Sequence, residues 1–128
     1  MDYSSVSKNE LDKAELARQV MNRVFSEYQN YTRGSFTGIV SNDFVEGKSK
    51  FIEGVEAGFY QGKILEINYF LDKVIKTRDK LFVSFKWEKK VLPKDSKEPN
   101  LLTGTGRFVF IEESGEWLLY QVNAGSLF

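Results

Sequence analysis

The chain has 128 residues, neither cysteine nor histidine, and 18 basic residues balanced by 18 acidic ones. Without Cys or His there is no disulfide, no thiolate or imidazole metal ligand, and no Ser–His or Cys–His nucleophile pair. A neutral total with interspersed signs argues against a protein that holds nucleic acid by neutralising phosphates, and no apolar run nears the ~20 residues that cross a bilayer.

The length suits a single domain over residues 1–128 with a core of its own. Eleven Phe, six Tyr and two Trp are a rich aromatic complement. They serve either a packed core and sheet or the lining of a cavity. The start, Met1-Asp2-Tyr3-Ser4-Ser5, has neither the basic region nor the apolar core of an export signal. It fits a native beginning or a chain whose export signal has been removed, with export the weakly preferred compartment and the cytoplasm the other.

In chain order, Ser7 and Glu10 have capping-box spacing. Beyond them Leu11, Ala14, Ala17, Met21, Val24, Phe25 and Tyr28 recur at three- and four-residue intervals, with Lys13, Arg18, Asn22, Arg23 and Glu27 opposite. A long amphipathic helix from about Ser7 to Tyr31 is expected. Arg33-Gly34 interrupts it, and Ser35 can cap a short helix through Phe36, Ile39 and Val40. Lys48 to Tyr60 reads as a third helix with Phe51, Ile52, Val55 and Phe59 on one side. Gly54 and Gly58 cost it about 1 kcal/mol each relative to Ala, and glycines four apart admit a close backbone.

From Gly62 the period becomes two. Leu65, Ile67, Tyr69 and Leu71 alternate with Glu66, Asn68, Phe70 and Asp72, and the parity slips at Lys73-Val74, which indicates a bulge. After the turn Thr77–Lys80, Leu81, Val83, Phe85 and Trp87 alternate with Phe82, Ser84, Lys86 and Glu88. Pro93 and Pro99 bracket a polar loop. Leu101 to Ile111, the turn Glu112–Glu116 and Trp117 to Val122 form a closing hairpin that leads into Asn123-Ala124-Gly125-Ser126-Leu127-Phe128. The order is α-α-α-β-β-β-β with an antiparallel meander, an α+β class.

The long first helix, the stretch Gly34-Ser35-Phe36-Thr37-Gly38-Ile39-Val40-Ser41-Asn42-Asp43-Phe44, the strand ending Phe85-Lys86-Trp87 and the hairpin of Gly106–Phe110 with Gly115–Leu119 resemble the NTF2-like superfamily. The ending Gly125–Phe128 is similar to small bacterial NTF2-like proteins, often exported or lipid-anchored. The resemblance covers nearly the whole chain and rests on fold motifs. It implies N-terminal helices packed on a curved, mainly antiparallel four-stranded sheet, a cone. It also implies a pocket inside that cone, and homodimers packed through the sheet.

Superfamily enzymes generally use a pocket carboxylate or a His–Asp pair, often with a tyrosine. The pair cannot exist here, and the parity of the first strands turns Glu66 and Asp72 away from the helices. The pocket candidates are Tyr28, Tyr31, Asp43, Phe59, Tyr60, Tyr69 and Trp87; taken singly, Asp43 reads more readily as a turn residue bonding local backbone, Glu56 as part of a solvated face and the tyrosines as core-edge residues. Phe70, Phe82, Phe108, Phe110, Leu118 and Tyr120 share even parity and are expected on the outer sheet face as a dimer interface, although the parity from Gly104 to Ile111 is ambiguous because Val109 and Ile111 are apolar as well. Arg107, with Thr103 and Thr105 at its parity, could hold a carboxylate or simply lie on an exposed face. Gly104-Thr105-Gly106 is no phosphate loop, since no helix start follows. The lysines around Lys86–Lys97 are mixed with Glu88, Asp95 and Glu98, a solvated hairpin rather than a nucleic-acid surface. Asn30-Tyr31-Thr32 matches a glycosylation sequon, a pattern frequent by chance.

No catalytic residue, metal or cofactor is expected. The reading is a non-catalytic NTF2-like domain that binds a small apolar or amphipathic ligand or a protein partner. The alternatives are an isomerase, cyclase or dehydratase using Asp43 or a tyrosine, and an assembly module acting through its sheet.

Overall fold

The computed structural model describes residues 3–128, with side chains from Leu11 onward. Helix α1 runs Tyr3–Gln29, α2 Arg33–Thr37 and α3 Lys48–Phe59. Four strands follow, β1 Gly62–Lys76, β2 Lys80–Pro93, β3 Asn100–Glu113 and β4 Glu116–Asn123, in the antiparallel order β1-β2-β3-β4. This is the helices-then-meander order that the periodicities imply.

Several boundaries differ from expectation. Helix α1 begins at Tyr3, so Ser7 lies within the helix; the side chains of the Ser7–Glu10 pair fall outside the described residues. Thr32, not Ser35, caps α2: its hydroxyl accepts from the Ser35 amide at 3.4 Å. The helix stops at Thr37 because the next residues take partners elsewhere. The Leu119 amide donates to the Ile39 carbonyl at 2.8 Å, the Ser41 amide to the Leu119 carbonyl at 2.9 Å, and the Val45 amide to the Tyr120 carbonyl at 3.0 Å. The segment from Ile39 to Val45 thereby covers the free edge of β4, one of the standard ways to protect a sheet edge.

Curvature comes from irregularities in the ladder. Strand β1 shifts register at Ile64/Glu66 and Leu71/Lys73, and the β3–β4 pairing shifts at Val109/Phe110. The second of these lies one residue before the slip read from the sequence. The first has no counterpart in the alternation, and it turns Ile64 inward and leaves Leu65 39% exposed, against the expected inward face.

Register also corrects the outer face. Phe108 pairs with Val83 and Phe110 with Leu81, and residues opposite one another in a ladder share a face. Even positions on β3 therefore match odd positions on β2. Phe108 and Phe110 are fully buried against the helices and belong to the core, not to a dimer surface. Phe70, Phe82, Leu118 and Tyr120 keep their exposed or half-buried positions outside it.

The core joins Ala17, Met21, Val24, Phe25 and Tyr28 of α1, Phe36 of α2, and Ile52 and Val55 of α3 to the inner sheet face. Trp87 and Phe85 lie across β3 at the two places where it has no side chain. A Cβ on Gly104 would stand 2.7 Å from Trp87, and one on Gly106 2.6 Å from Phe85. Both rings are fully buried and cannot swing away. Gly104→Ala should therefore destabilise the protein by about 1–3 kcal/mol, as overpacked core substitutions do, read as a lowered urea midpoint. An unchanged midpoint would show that Trp87 yields freely.

Candidate functional site

The cone's interior is occupied by the chain itself. After β4 the backbone turns at Gly125, φ +57°, a left-handed conformation that glycine takes without strain. Leu127 is then fully buried, and the Phe128 ring lies 4.8 Å from Tyr28, 5.6 Å from Phe51 and 5.8 Å from Phe108, stacked on the last at 10°. Its backbone passes Gly58, where an added Cβ would stand 3.7 Å from the Phe128 carbonyl carbon. This is the close approach that the Gly54/Gly58 spacing allows; nothing comes near Gly54.

Two expected pocket residues are consequently core residues. Trp87 is buried and its indole donates to the Thr105 carbonyl at 3.3 Å. Tyr28 is buried, and its hydroxyl donates to the Leu127 carbonyl at 3.3 Å. Beside them stands Lys89, which the sequence reading placed with Lys86, Lys90, Lys94 and Lys97 on a solvated hairpin and which the structure buries instead. Lys89 continues the inward parity of Leu81, Val83, Phe85 and Trp87 and is 8% exposed. Its ammonium donates to the Leu127 carbonyl at 2.6 Å and to the Tyr28 hydroxyl at 3.1 Å. It lies 5.5 Å from the Tyr28 ring centre. With the hydroxyl so much nearer, it approaches the edge rather than the face, so the attraction is ion–dipole and not cation–π. Burial lowers the Lys89 pKa and pushes Tyr28 up to about 12.

Three other candidates converge at the cone's mouth. Phe59 and Tyr60 end α3 beside Gln29, and with Lys63, Ile64, Leu92, Pro93 and Lys94 they line a cleft of about 580 Å³. A second depression of about 530 Å³ shares Gln29, Phe59 and Tyr60 and adds Tyr31 and Glu56. The two form one groove. The Tyr31 hydroxyl donates to Glu56 Oε1 at 2.7 Å, and Arg33 Nη1 to Glu56 Oε2 at 3.3 Å. Glu56 is thus a rim residue with both oxygens engaged, not simply part of a solvated face. Tyr31 is pushed up to about 12 by burial, and by its bond to Glu56. Tyr60, 79% exposed, stands at the lip.

The remaining candidates lie apart. Tyr69 stacks on Phe25 at 5.0 Å and its hydroxyl bonds the Asn22 side chain, in a polar depression of about 650 Å³ between α1 and β1. Asp43 is exposed in the loop before α3, where its amide donates to Ser41 Oγ at 3.0 Å. The turn bond is made by the Ser41 hydroxyl and not by the Asp43 side chain, whose carboxylate lies outside the groove. The Arg107 guanidinium covers the Phe82 ring at 5.2 Å on the outer sheet face.

The raised phenol sets an alkaline limit on stability. Tyr28 stays protonated in the folded protein to about 12 but ionises at its ordinary 10.0 when unfolded. Its contribution is complete below pH 10.0 and is lost as pH rises towards about 12. Lys89 acts with the opposite sign, its burial penalty lifting as pH climbs from its lowered value towards 10.5. Urea unfolding across this range should show a decline that Tyr28→Phe makes shallower; equal slopes in the two proteins would refute the assignment.

No protein-family model and no curated protein matches this chain. Solved structures do. A conserved protein from Planctomyces limnophilus aligns with a TM-score of 0.74 and 20% identity over 87% of this chain and 97% of that one. A ketosteroid isomerase-like protein from Erwinia carotovora atroseptica gives 0.70 and 13% over 85% and 93%. An NTF-2 like protein of unknown function from Shewanella oneidensis gives 0.66 and 9% over 87% and 97%. At these identities the likeness is one of fold. The chain has the NTF2-like fold: helices first, then a curved, unclosed antiparallel sheet of four strands.

Proposed function

We propose that this NTF2-like chain is a non-catalytic binding domain whose mouth groove takes a small amphipathic ligand. The observation that carries the reading is Tyr60, a large aromatic left 79% exposed on the lip of a concavity. Phe59, Leu92 and Pro93 add apolar surface beneath it, and Lys63, Lys94 and Glu56 ring it with charge. Apolar floor with a few polar groups at the edge is the usual make-up of a small-molecule site. Acid–base catalysis has less support. The Glu56 oxygens are already held by Tyr31 and Arg33, and Asp43 sits outside the groove.

Titration with the amphipathic dye anilinonaphthalene sulfonate, followed by fluorescence, tests this. Saturable binding to the wild type is expected, weakened about fivefold to tenfold by Tyr60→Ala, the loss that one aromatic contact of about 1–1.5 kcal/mol entails. Phe70→Ala, on the outer sheet face, should leave it unchanged. Equal binding by the Tyr60 variant would refute the groove.

A second reading is a homodimer through the outer sheet face, where Phe70 is 53% exposed and Ile75, Phe82, Leu118 and Tyr120 add apolar area. Sedimentation equilibrium should then give twice the 14.8 kDa chain mass, reduced to one chain by Phe82→Lys. A monomer at all concentrations would remove this reading.

A further inference from the structure

The sheet has three stretches of free backbone edge, and two of them are guarded. The edge of β4 is covered by the segment from Ile39 to Val45, which hydrogen-bonds Leu119 and Tyr120. The edge of β1 carries Lys63, Glu66, Asp72, Lys73 and Lys76 and two register shifts, and the Tyr69 hydroxyl ties it to Asn22 of α1. Charges, bulges and covering segments are the usual devices that keep an edge from pairing with another chain. The third stretch has none of them. The β3–β4 ladder ends at Arg107↔Asn123, so β3 runs on past its neighbour from Asn100 to Gly106. That run, Asn-Leu-Leu-Thr-Gly-Thr-Gly, holds neither charge nor proline. Among the described residues its backbone bonds the backbone of β2 and no other.

What fits this edge follows from its pattern about Thr103. Leu101, Thr103 and Thr105 pair with Lys90, Glu88 and Lys86 and share the outer sheet face. Leu101 is 64% exposed there. Beside Thr103 and Thr105 the same face has a hollow of about 350 Å³, bounded by Phe70, Lys86 and Glu88. Leu101 lies two residues before Thr103, and Thr105 two after it. An antiparallel copy of the strand, related by a twofold axis through Thr103, sets each Leu101 opposite the other's Thr105, at the edge of the other's hollow. On the inner face the same register puts Leu102, 38% exposed, opposite Gly104, beside the Trp87 ring that takes up the glycine's side-chain space. No like charges meet within the pair, because the run has none.

We infer that the free edge of β3, from Leu101 to Thr105, pairs antiparallel with the same edge of a second copy, joining two four-stranded sheets into one. Neither the mouth groove nor a face-to-face contact of the sheets uses this edge. A ladder this short is small beside the ~1,200–2,000 Å² of a standard interface, so the pair is weak and forms as concentration rises.

Two measurements test this pairing on a Phe82→Lys background, from which the outer-face contact is removed. Analytical ultracentrifugation should show a monomer–dimer equilibrium. Adding Leu101→Lys should raise its dissociation constant at least about tenfold, since a twofold pair loses the contact twice and gains an edge lysine on each strand. Circular dichroism verifies that this exposed substitution leaves the fold intact. The chain has no cysteine, so Thr103→Cys introduces a single thiol. Directly opposed residues bring their Cβ atoms to about 4.5–5.5 Å, close to what a disulfide needs. Mild oxidation should join Thr103→Cys chains at least about tenfold faster than Leu101→Cys or Thr105→Cys chains, whose thiols lie apart on either side of the axis. A background protein that stays monomeric up to millimolar concentration overturns the inference. So does association unchanged by Leu101→Lys, or equal oxidation rates at the three positions.

Discussion

Trp87 and Phe85 lie flat across the neighbouring strand only because Gly104 and Gly106 leave room for them. That close approach sets the curvature of the sheet at its centre. The register shifts in β1 and between β3 and β4 continue the bend towards the edges, where an extra residue locally increases twist. A flat sheet would present Phe85, Trp87, Phe108 and Phe110 to a plane. The curled one wraps them around Phe25 and Tyr28 of α1, with Phe25 6.0 Å from Phe85 and 6.1 Å from Phe108. Edge-on and offset ring contacts then replace what would otherwise be open volume.

A curled sheet under helices leaves a hollow, and this chain fills it from within. Phe128 and Leu127 complete the packing between α1, α3 and the sheet, so that the aromatic content of the sequence serves a core more than a cavity lining. The filling brings a polar element with it. Lys89, Tyr28 and the Leu127 carbonyl form a closed triangle of hydrogen bonds in apolar surroundings. In a medium of low dielectric such a triangle ties three elements together at defined atoms, where hydrophobic contact alone would allow them to slide.

What remains open to solvent is the mouth. There the end of α3, the start of β1 and the end of β2 leave a groove, with Tyr60 at its lip and the Tyr31–Glu56–Arg33 cluster along one side. The groove and the filled interior are two faces of one arrangement. Phe59 lines the groove while its ring stands 5.3 Å from Tyr28 and 5.0 Å from Tyr31, so surface and core meet at one side chain.

Local pattern by itself determined the element order, the inward stripe of α1 from Ala17 to Tyr28, the inward parity of β2 and the existence of a bulge near Lys73, because each is dictated by spacing within a single segment; Leu11, read as the start of that stripe, is 63% exposed. The same parity runs on to Lys89, so the alternation of β2 alone is enough to carry a charge into the core. Tertiary structure alone decided the rest. Whether even or odd residues of β3 face the helices depends on the register with β2, a relation between distant segments, and it moved Phe108 and Phe110 from the surface to the core. The convergence of Tyr31, Phe59 and Tyr60 depends on how α3 docks. The fate of the hollow depends on where Leu127 and Phe128 come to rest after Gly125, and no periodicity within Asn123–Phe128 encodes a contact with Lys89.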